Sequence, residues 1–144
     1  ESIEKGINSF LPSNNRSQII FKGSNRIILD AYNANPTSMK ASIFSFCEAK
    51  QKKSVVVLGD MLELGRYTEI AHQDIIQQIL DSNIEEVLTI GDYFFQTESE
   101  DKRLKKFKTI FEAEEYILKK SYTDREFLIK GSRGTALEHL LEIL

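Results

Sequence analysis

Continuous apolar runs alternate with helical patterns along most of the chain. Two of the runs are followed directly by a glycine and a third by a lysine and then a glycine, and continuous apolar runs are typical of strands buried on both faces of a sheet. These three runs are Ser54–Leu58, Glu86–Ile90 and Phe127–Ile129. Apolar residues recur at helical spacing in the segments between and after these runs. The helices predicted there cover about residues 68–80, 112–119 and 133–144.

The first part of the chain predicts a hairpin followed by a helix. Ile19–Phe21 and Arg26–Asp30 are short apolar runs separated by a Gly-Ser-Asn turn. Asn35 and Pro36 then give the signature of a helix start, with Asn as the cap and Pro at the first helical position. Apolar residues continue at helical spacing to about Lys50. The segment before the hairpin, residues 11–18, reads as a linker.

Strands separated by helices of 10–14 residues predict a parallel sheet covered on both faces. We therefore expect an α/β fold with an open, doubly wound (Rossmann-like), mostly parallel sheet, to which the hairpin adds an antiparallel strand. In such sheets ligands bind beyond the carboxyl ends of the strands. The segments to inspect are Asp30–Asn35, Gly59–Gly65, Gly91–Tyr93 and Lys130–Arg133.

Composition narrows the class of protein. The 144 residues, 41% hydrophobic and 28% charged, suit one globular domain. A net charge of −3 argues against a nucleic-acid-binding module. No apolar run approaches the roughly 20 residues of a membrane span, so we expect no membrane association. The single cysteine, Cys47, fits a reducing compartment, and we expect a cytoplasmic location.

Two of these segments are acidic or amide-rich. Asp30 could accept hydrogen bonds from a ribose diol or could be structural, and the residues alone leave the two readings equal. Asn33 and Asn35 are more simply turn and cap residues. Asp60 and Glu63 could form a carboxylate pair, but a solvated surface or a helix cap is the favoured interpretation. His72 is expected to pack or cap rather than to act as a base.

The segment from Lys130 to Gly134 offers an anion pocket. It combines a strand end, two glycines and a predicted helix start that carries Ser132 and Arg133. A solvated basic turn explains the same residues equally well. Lys102–Lys106 is expected to be a solvated connection. No GxxxxGK[ST] or GxGxxG motif occurs in the sequence, and two distant histidines with one cysteine predict no metal site.

Three segments together resemble the carboxy-terminal domain of the Mur ligase family. They are Asp30-Ala-Tyr-Asn-Ala-Asn-Pro-Thr-Ser-Met39, Leu58-Gly-Asp-Met-Leu-Glu-Leu-Gly65 followed by His72, and Leu128-Ile-Lys-Gly-Ser-Arg-Gly134. Their order and spacing agree across nearly the whole chain from Arg16. The Tyr-Asn-Ala-Asn and Lys-Gly-Ser-Arg forms resemble the member that adds D-Ala-D-Ala to a UDP-muramoyl tripeptide.

The resemblance implies an ATP-dependent ligase that forms an amide through an acyl phosphate in peptidoglycan synthesis. It implies that ATP contacts Arg16, Asp30 and Asn33, and that the D-Ala-D-Ala carboxylate contacts Lys130, Ser132 and Arg133. Positioning roles are the expectation for Asn35, Asp60, Glu63 and His72. The family's phosphate loop and Mg²⁺ ligands lie in a central domain, so no catalytic residue and no metal ligand is expected in this chain.

The resemblance also implies a domain division. Residues 1–18 would form the junction to a central domain, and residues 19–144 the carboxy-terminal domain. The expected partners are the central and amino-terminal domains of the same protein, and we expect a monomer that is inactive as this fragment alone. The alternative is a non-catalytic nucleotide-binding or interaction domain on the same scaffold, since a fold alone does not decide function.

Overall fold

The computed structural model describes residues 17–30, 34–49, 53–132 and 135–144. These residues contain one six-stranded mixed sheet. Its strands are β1 (Gln18–Lys22), β2 (Asn25–Asp30), β3 (Ser54–Gly59), β4 (Glu86–Ile90), β5 (Leu104–Phe107) and β6 (Glu126–Lys130). The helices are α1 (Pro36–Glu48), α2 (Thr68–Leu80), α3 (Asp92–Phe95) and α4 (Ile110–Lys120).

The strand order is β1-β2-β6-β3-β4-β5, and among these described strands only the β1–β2 pair is antiparallel. The α/β class, the mostly parallel sheet and the amino-terminal hairpin are therefore confirmed. α2 has the predicted bounds, and α1 begins at Pro36 behind the Asn35 cap as predicted.

The sheet separates two apolar cores because alternate residues of a strand point to opposite faces. On one face Val56 and Leu58 of β3 pack with the buried sides of α1 and α2. On the other face Val55 and Val57 pack with α4 and the last residues of the chain. Helices on both faces were predicted. No described helix has the length and apolar character that a membrane crossing would require.

Two predictions are wrong. The chain from 133 does not continue as one long helix, because Ala136 has a left-handed backbone (φ 52°) and a 3₁₀ helix follows at Leu137–Glu142. Leu137 and Leu140 are fully buried at a spacing of three, which suits a 3₁₀ turn. Lys102–Lys106 is not a solvated connection either, because Leu104–Phe107 forms the edge strand β5.

Arg103, the residue before β5, is also not a solvated residue of a connection, because its side chain is held by several contacts. Its guanidinium donates to the main-chain oxygens of Leu80, Ser82 and Ile84, and so satisfies carbonyls at the end of α2 and in the following turn. Asp101 holds the guanidinium in place, and this hydrogen bond lowers the Asp101 pKa to about 2. The basic run thus anchors the chain at the edge of the sheet.

Candidate functional site

The carboxyl ends of the parallel strands bring the candidate residues to one edge of the sheet. Asp30 ends β2, Lys130 ends β6, and the two are register partners on neighbouring strands. Gly59 ends β3 and is followed directly by Asp60. Gly91 follows β4. The predicted strand ends therefore lie at one edge of the sheet. Their polar side chains form two separate clusters.

The first cluster is a buried ion pair. Lys130 Nζ donates to Asp30 Oδ2 over 2.7 Å, and Ser42 Oγ from α1 donates to the same oxygen over 3.3 Å. Lys130 is 1% exposed and Asp30 is 8% exposed. The two residues, which the resemblance assigns to different substrates, are thus in direct contact.

A groove of about 300 Å³ opens beside this ion pair, between β2 and α1. Asp30 and Ser42 line one end, and Arg26 and Ala49 line the other. On the α1 side the lining combines Phe46 with four small residues, Ala41, Ser42, Ser45 and Ala49. A carboxylate that is paired on one side and borders a groove on the other is suited to contact a ligand.

Ser132 lies two residues beyond Lys130 and is 9% exposed. Its Oγ has no hydrogen-bond partner among the described residues, while its carbonyl accepts from the amide and hydroxyl of Thr135. Gly59 and Gly131 let this turn lie against the sheet, because a Cβ on either would come within 3.1 Å of Leu137. The turn is therefore packed tightly onto the strand ends.

Asn35 acts as a helix cap. Its Oδ1 accepts from the Ser38 amide over 2.9 Å, and its own amide donates to Ser38 Oγ over 3.1 Å. This reciprocal pair is a capping box. The favoured interpretation of Asn35 as a cap is confirmed, and the cap fixes α1 directly after the segment that follows Asp30.

The second cluster is centred on Asp60. Its two carboxylate oxygens accept from the main-chain N–H groups of Tyr93 and Phe94, each over 2.9 Å. Asp60 therefore caps the start of α3, which belongs to a different crossover. It is buried rather than solvated, and burial is the main cause of its raised pKa.

Gly91 makes the Asp60 cap possible. Its φ of +126° lies in a region that side-chain-bearing residues rarely adopt, and a Cβ there would lie 2.3 Å from Asp60 Cγ. The sequence identifies Gly91 only as the end of a strand. The local sequence around Gly91 does not indicate that this glycine lies against the Asp60 carboxylate, which belongs to a different part of the chain.

His72 is fully buried beside Asp60. Its Nε2 accepts from the Met61 amide over 2.9 Å, so the ring proton is on Nδ1, which donates to the Thr68 carbonyl over 2.6 Å. Burial lowers the pKa of His72 and keeps the ring neutral. These contacts join the loop after β3 to α2 and are those of a packing and capping residue, as predicted.

Glu63 does not share the environment of Asp60. It is exposed and has a left-handed backbone with φ 64°, which is a turn conformation. A carboxylate pair is therefore not formed by these two acids, as the favoured interpretation expected. Arg16, Asn33 and Arg133 lie outside the described residues. The described residues contain no group of three or more His, Cys, Asp or Glu side chains arranged to hold a metal ion.

Ser42 is the residue of the first cluster that the sequence did not single out. It faces β2 from α1 and contacts Asp30 from a position 12 residues further along the chain. A serine in a helix is usually a surface residue, so its type carried no signal. Knowing that the start of α1 follows β2 closely would have placed it near Asp30.

Comparison with known proteins identifies the family. Residues 15–139 match the family model described as "Mur ligase, glutamate ligase domain". The UDP-N-acetylmuramoyl-tripeptide–D-alanyl-D-alanine ligase of Bacillus subtilis is 34% identical over 153 aligned positions, which cover 100% of this chain and 33% of that protein.

Comparison with solved structures gives the same family. MurF from Acinetobacter baumannii has a TM-score of 0.81 at 29% identity, covering 92% of this chain and 30% of that one. A second structure from that organism, named UDP-N-acetylmuramoylalanyl-D-glutamyl-2,6-diaminopimelate–D-alanyl-D-alanyl ligase, has a TM-score of 0.73 at 29% identity, covering 89% and 28%. This chain thus spans about a third of the length of the relatives it matches.

Proposed function

Since the chain belongs to the Mur ligase family, we propose that it is the carboxy-terminal domain of an ATP-dependent ligase that adds D-alanyl-D-alanine to UDP-N-acetylmuramoyl-tripeptide. The observation that carries this proposal is the match of the entire chain to relatives that bear this name. The polar edge of the sheet, with its ion pair and adjoining groove, supports a binding role for this domain.

The proposed reaction needs more than this chain supplies. ATP phosphorylates the terminal carboxylate of the tripeptide, and the amine of D-Ala-D-Ala attacks the acyl phosphate to give an amide and phosphate. The sequence has no phosphate-loop motif, and the described residues do not fit a Mg²⁺ site. We therefore assign the phosphate loop and the Mg²⁺ ligands to a central domain, and binding and orientation to this one.

Asp30 is the proposed contact for the ribose of ATP. Both of its described hydrogen bonds end on Oδ2, and a carboxylate can accept about four hydrogen bonds in total. We assign Oδ1 to the ribose hydroxyls. Arg16 and Asn33 are the other proposed nucleotide contacts.

The turn after β6 is the proposed contact for the dipeptide carboxylate. Ser132 Oγ is buried without a described partner, so a ligand oxygen there would satisfy it. Lys130 brings positive charge to the same strand end, and Arg133 would complete the clamp. Asn35, Asp60 and His72 fix the elements around this edge, which is a positioning role, and Glu63 belongs to the loop they hold.

The rest of the proposal concerns the setting of the domain. Residues 1–18 are the proposed junction to the central domain, and residues 19–144 the carboxy-terminal domain. We propose that the complete protein is a cytoplasmic monomer, and that the 144-residue chain is inactive alone because it lacks the parts that hold the phosphates.

A ligation assay tests the function directly. The full-length protein is incubated with ATP, Mg²⁺, UDP-muramoyl tripeptide and D-Ala-D-Ala, and the pentapeptide product is measured by mass spectrometry. We expect product from the full-length protein and none from the purified 144-residue chain. L-Ala-L-Ala in place of the dipeptide is the matched control.

Absence of product from the folded full-length protein would contradict the proposed activity. Product formed by the 144-residue chain alone would contradict its inactivity while leaving the activity itself in place. Ser132→Ala in the full-length protein should raise the KM for D-Ala-D-Ala and change the KM for ATP by less than about twofold.

A further inference from the structure

Two lysine side chains converge on one aromatic ring at the β5 end of the sheet. Lys106 Nζ lies 5.6 Å from the centroid of the Phe95 ring and Lys108 Nζ lies 5.2 Å from it. Phe95 is 37% exposed, so the ring is accessible to solvent. We call Phe95, Lys106 and Lys108 the lysine patch.

Convergence of two like charges costs free energy unless something offsets it. Phe95 offsets part of that cost, because the face of an aromatic ring attracts ammonium groups. Lys106 Nζ also donates to the Thr97 carbonyl. Neither ammonium forms an ion pair with a carboxylate of the described residues. The patch thus presents two positive charges on a protein whose net charge is −3.

The patch lies at the functional edge of the sheet. β5 is parallel to β4, and Phe107 is paired with Ile90 at the end of both strands. Lys108 follows β5 directly, so it projects from the same edge as Asp30 and Lys130. Lys105, by contrast, alternates to the other face of the strand, where its Nζ donates to the Lys102 carbonyl.

The distances along this edge match the length of the proposed substrates. β5 is three strands from β6, about 14 Å at about 4.8 Å per strand. An extended dipeptide spans about 7 Å and a tripeptide about 10 Å. If the dipeptide carboxylate lies at the end of β6, an extended dipeptide and tripeptide joined end to end are long enough to reach the patch.

We propose that the lysine patch binds a carboxylate of the tripeptide other than the reacting one. This inference rests on the proposed function. The substrate named for the Acinetobacter ligase contains a glutamyl residue, which keeps one carboxylate free whichever of its two carboxyl groups forms the peptide bond. Two ammonium groups held on one ring are suited to such an anion.

The UDP diphosphate is the other anion of the same substrate, and the experiment separates the two. In the full-length enzyme, dissociation constants for UDP-muramoyl tripeptide and for UDP are measured by calorimetry. The variants are Lys106→Gln, Lys108→Gln and the pair together. We expect about a threefold loss of tripeptide affinity for each lysine and about tenfold for the pair, with UDP affinity unchanged.

Lys105→Gln is the matched control, because it removes the same charge from the same strand on the opposite face. It should change tripeptide affinity by less than about twofold. Lys106→Arg with Lys108→Arg keeps both charges and should retain most of the affinity. Raised ionic strength should weaken tripeptide binding by the wild type more than by the double glutamine variant.

Each result decides between stated alternatives. If the double glutamine variant still ligates and binds the tripeptide as tightly as Lys105→Gln does, the proposed role of the lysine patch is wrong. The proposed function of the enzyme is then unaffected. An equal loss of UDP and tripeptide affinity overturns the peptide carboxylate in favour of the diphosphate. A folded wild-type enzyme that neither binds nor ligates the tripeptide overturns both proposals.

Discussion

Two buried carboxylates lie at the same edge of the sheet, and their partners differ in kind. Asp60 accepts from two main-chain amides of α3 beside the neutral ring of His72. Asp30 accepts from two side chains, Lys130 and Ser42, beside a groove. Main-chain partners cannot leave without displacing a helix, whereas side-chain partners can rotate. The difference separates a structural carboxylate from one suited to a ligand.

The largest effect should come from breaking the main-chain cap. Gly91→Ala places a Cβ 2.3 Å from the Asp60 carboxyl carbon at a φ of +126°, and we expect the free energy of unfolding to fall by about 3 kcal/mol or more. Urea unfolding of the 144-residue chain measures it. Gly65→Ala is the control, with φ +58° and open space around the glycine, and should cost about 1 kcal/mol. Equal losses for the two variants would contradict the contact with Asp60.

The ion pair gives the second prediction. Asp30→Ala leaves the buried Lys130 ammonium without this carboxylate and should lower the free energy of unfolding by about 3 kcal/mol. Adding Lys130→Met should recover most of that loss, because the buried charge is then removed as well. Urea unfolding of both variants measures the difference.

The same double variant separates stability from binding. In the full-length enzyme we expect the KM for ATP to remain raised about tenfold, because the proposed ribose acceptor is still missing. A KM for ATP that returns to the wild-type value when stability returns would make Asp30 structural, like Asp60.

The smallest expected effect is on the pH dependence of stability. The pKa of His72 is lowered in the folded protein, so the unfolded chain binds the proton more readily. Stability from this group is complete above the unfolded pKa of about 6.5 and decreases as the pH falls below it, by up to about 1 kcal/mol between pH 6.5 and 5.5. Urea midpoints across that range measure the decrease.

His72→Gln should flatten this dependence. The raised pKa of Asp60 acts in the opposite direction, because its contribution is present at low pH and is lost as the pH rises through the folded pKa. An unchanged slope in His72→Gln would therefore show that the acid sensitivity of the wild type comes from other groups.

Much of the fold was predictable because local chemistry and tertiary packing agree. The buried runs of β3 and β4 and the cap at Asn35 have strong local signals. β5 was missed because its four residues are half-buried and include two lysines, which is typical of an edge strand and not of a central one. The long final helix was wrong because the apolar pattern does not reveal the left-handed Ala136.

The sequence could predict where the residues of the candidate site lie in the fold, but it could not predict which of them contact each other. That Asp30 and Lys130 end strands follows from the apolar runs before them. Asp30 and Lys130 are in contact because β6 lies beside β2. The lengths and spacing of the strands do not determine this strand order. The same holds for Asp60. The favoured interpretation was a solvated surface or a helix cap, and Asp60 is a buried cap for a helix that begins 32 residues later in the sequence.

The position of β6 also has a consequence for how the protein forms during synthesis. Among the strands that the structure describes, the hairpin β1–β2 joins the rest of the sheet only through β6. The β2–β6 register links residues 100 positions apart, such as Arg26 and Glu126. The ribosome therefore exports the hairpin with one side unpaired, and that side remains open until about 100 more residues have been made. At roughly 5–20 residues per second this interval lasts about 5–20 s, during which the exposed strand is open to pairing with other chains.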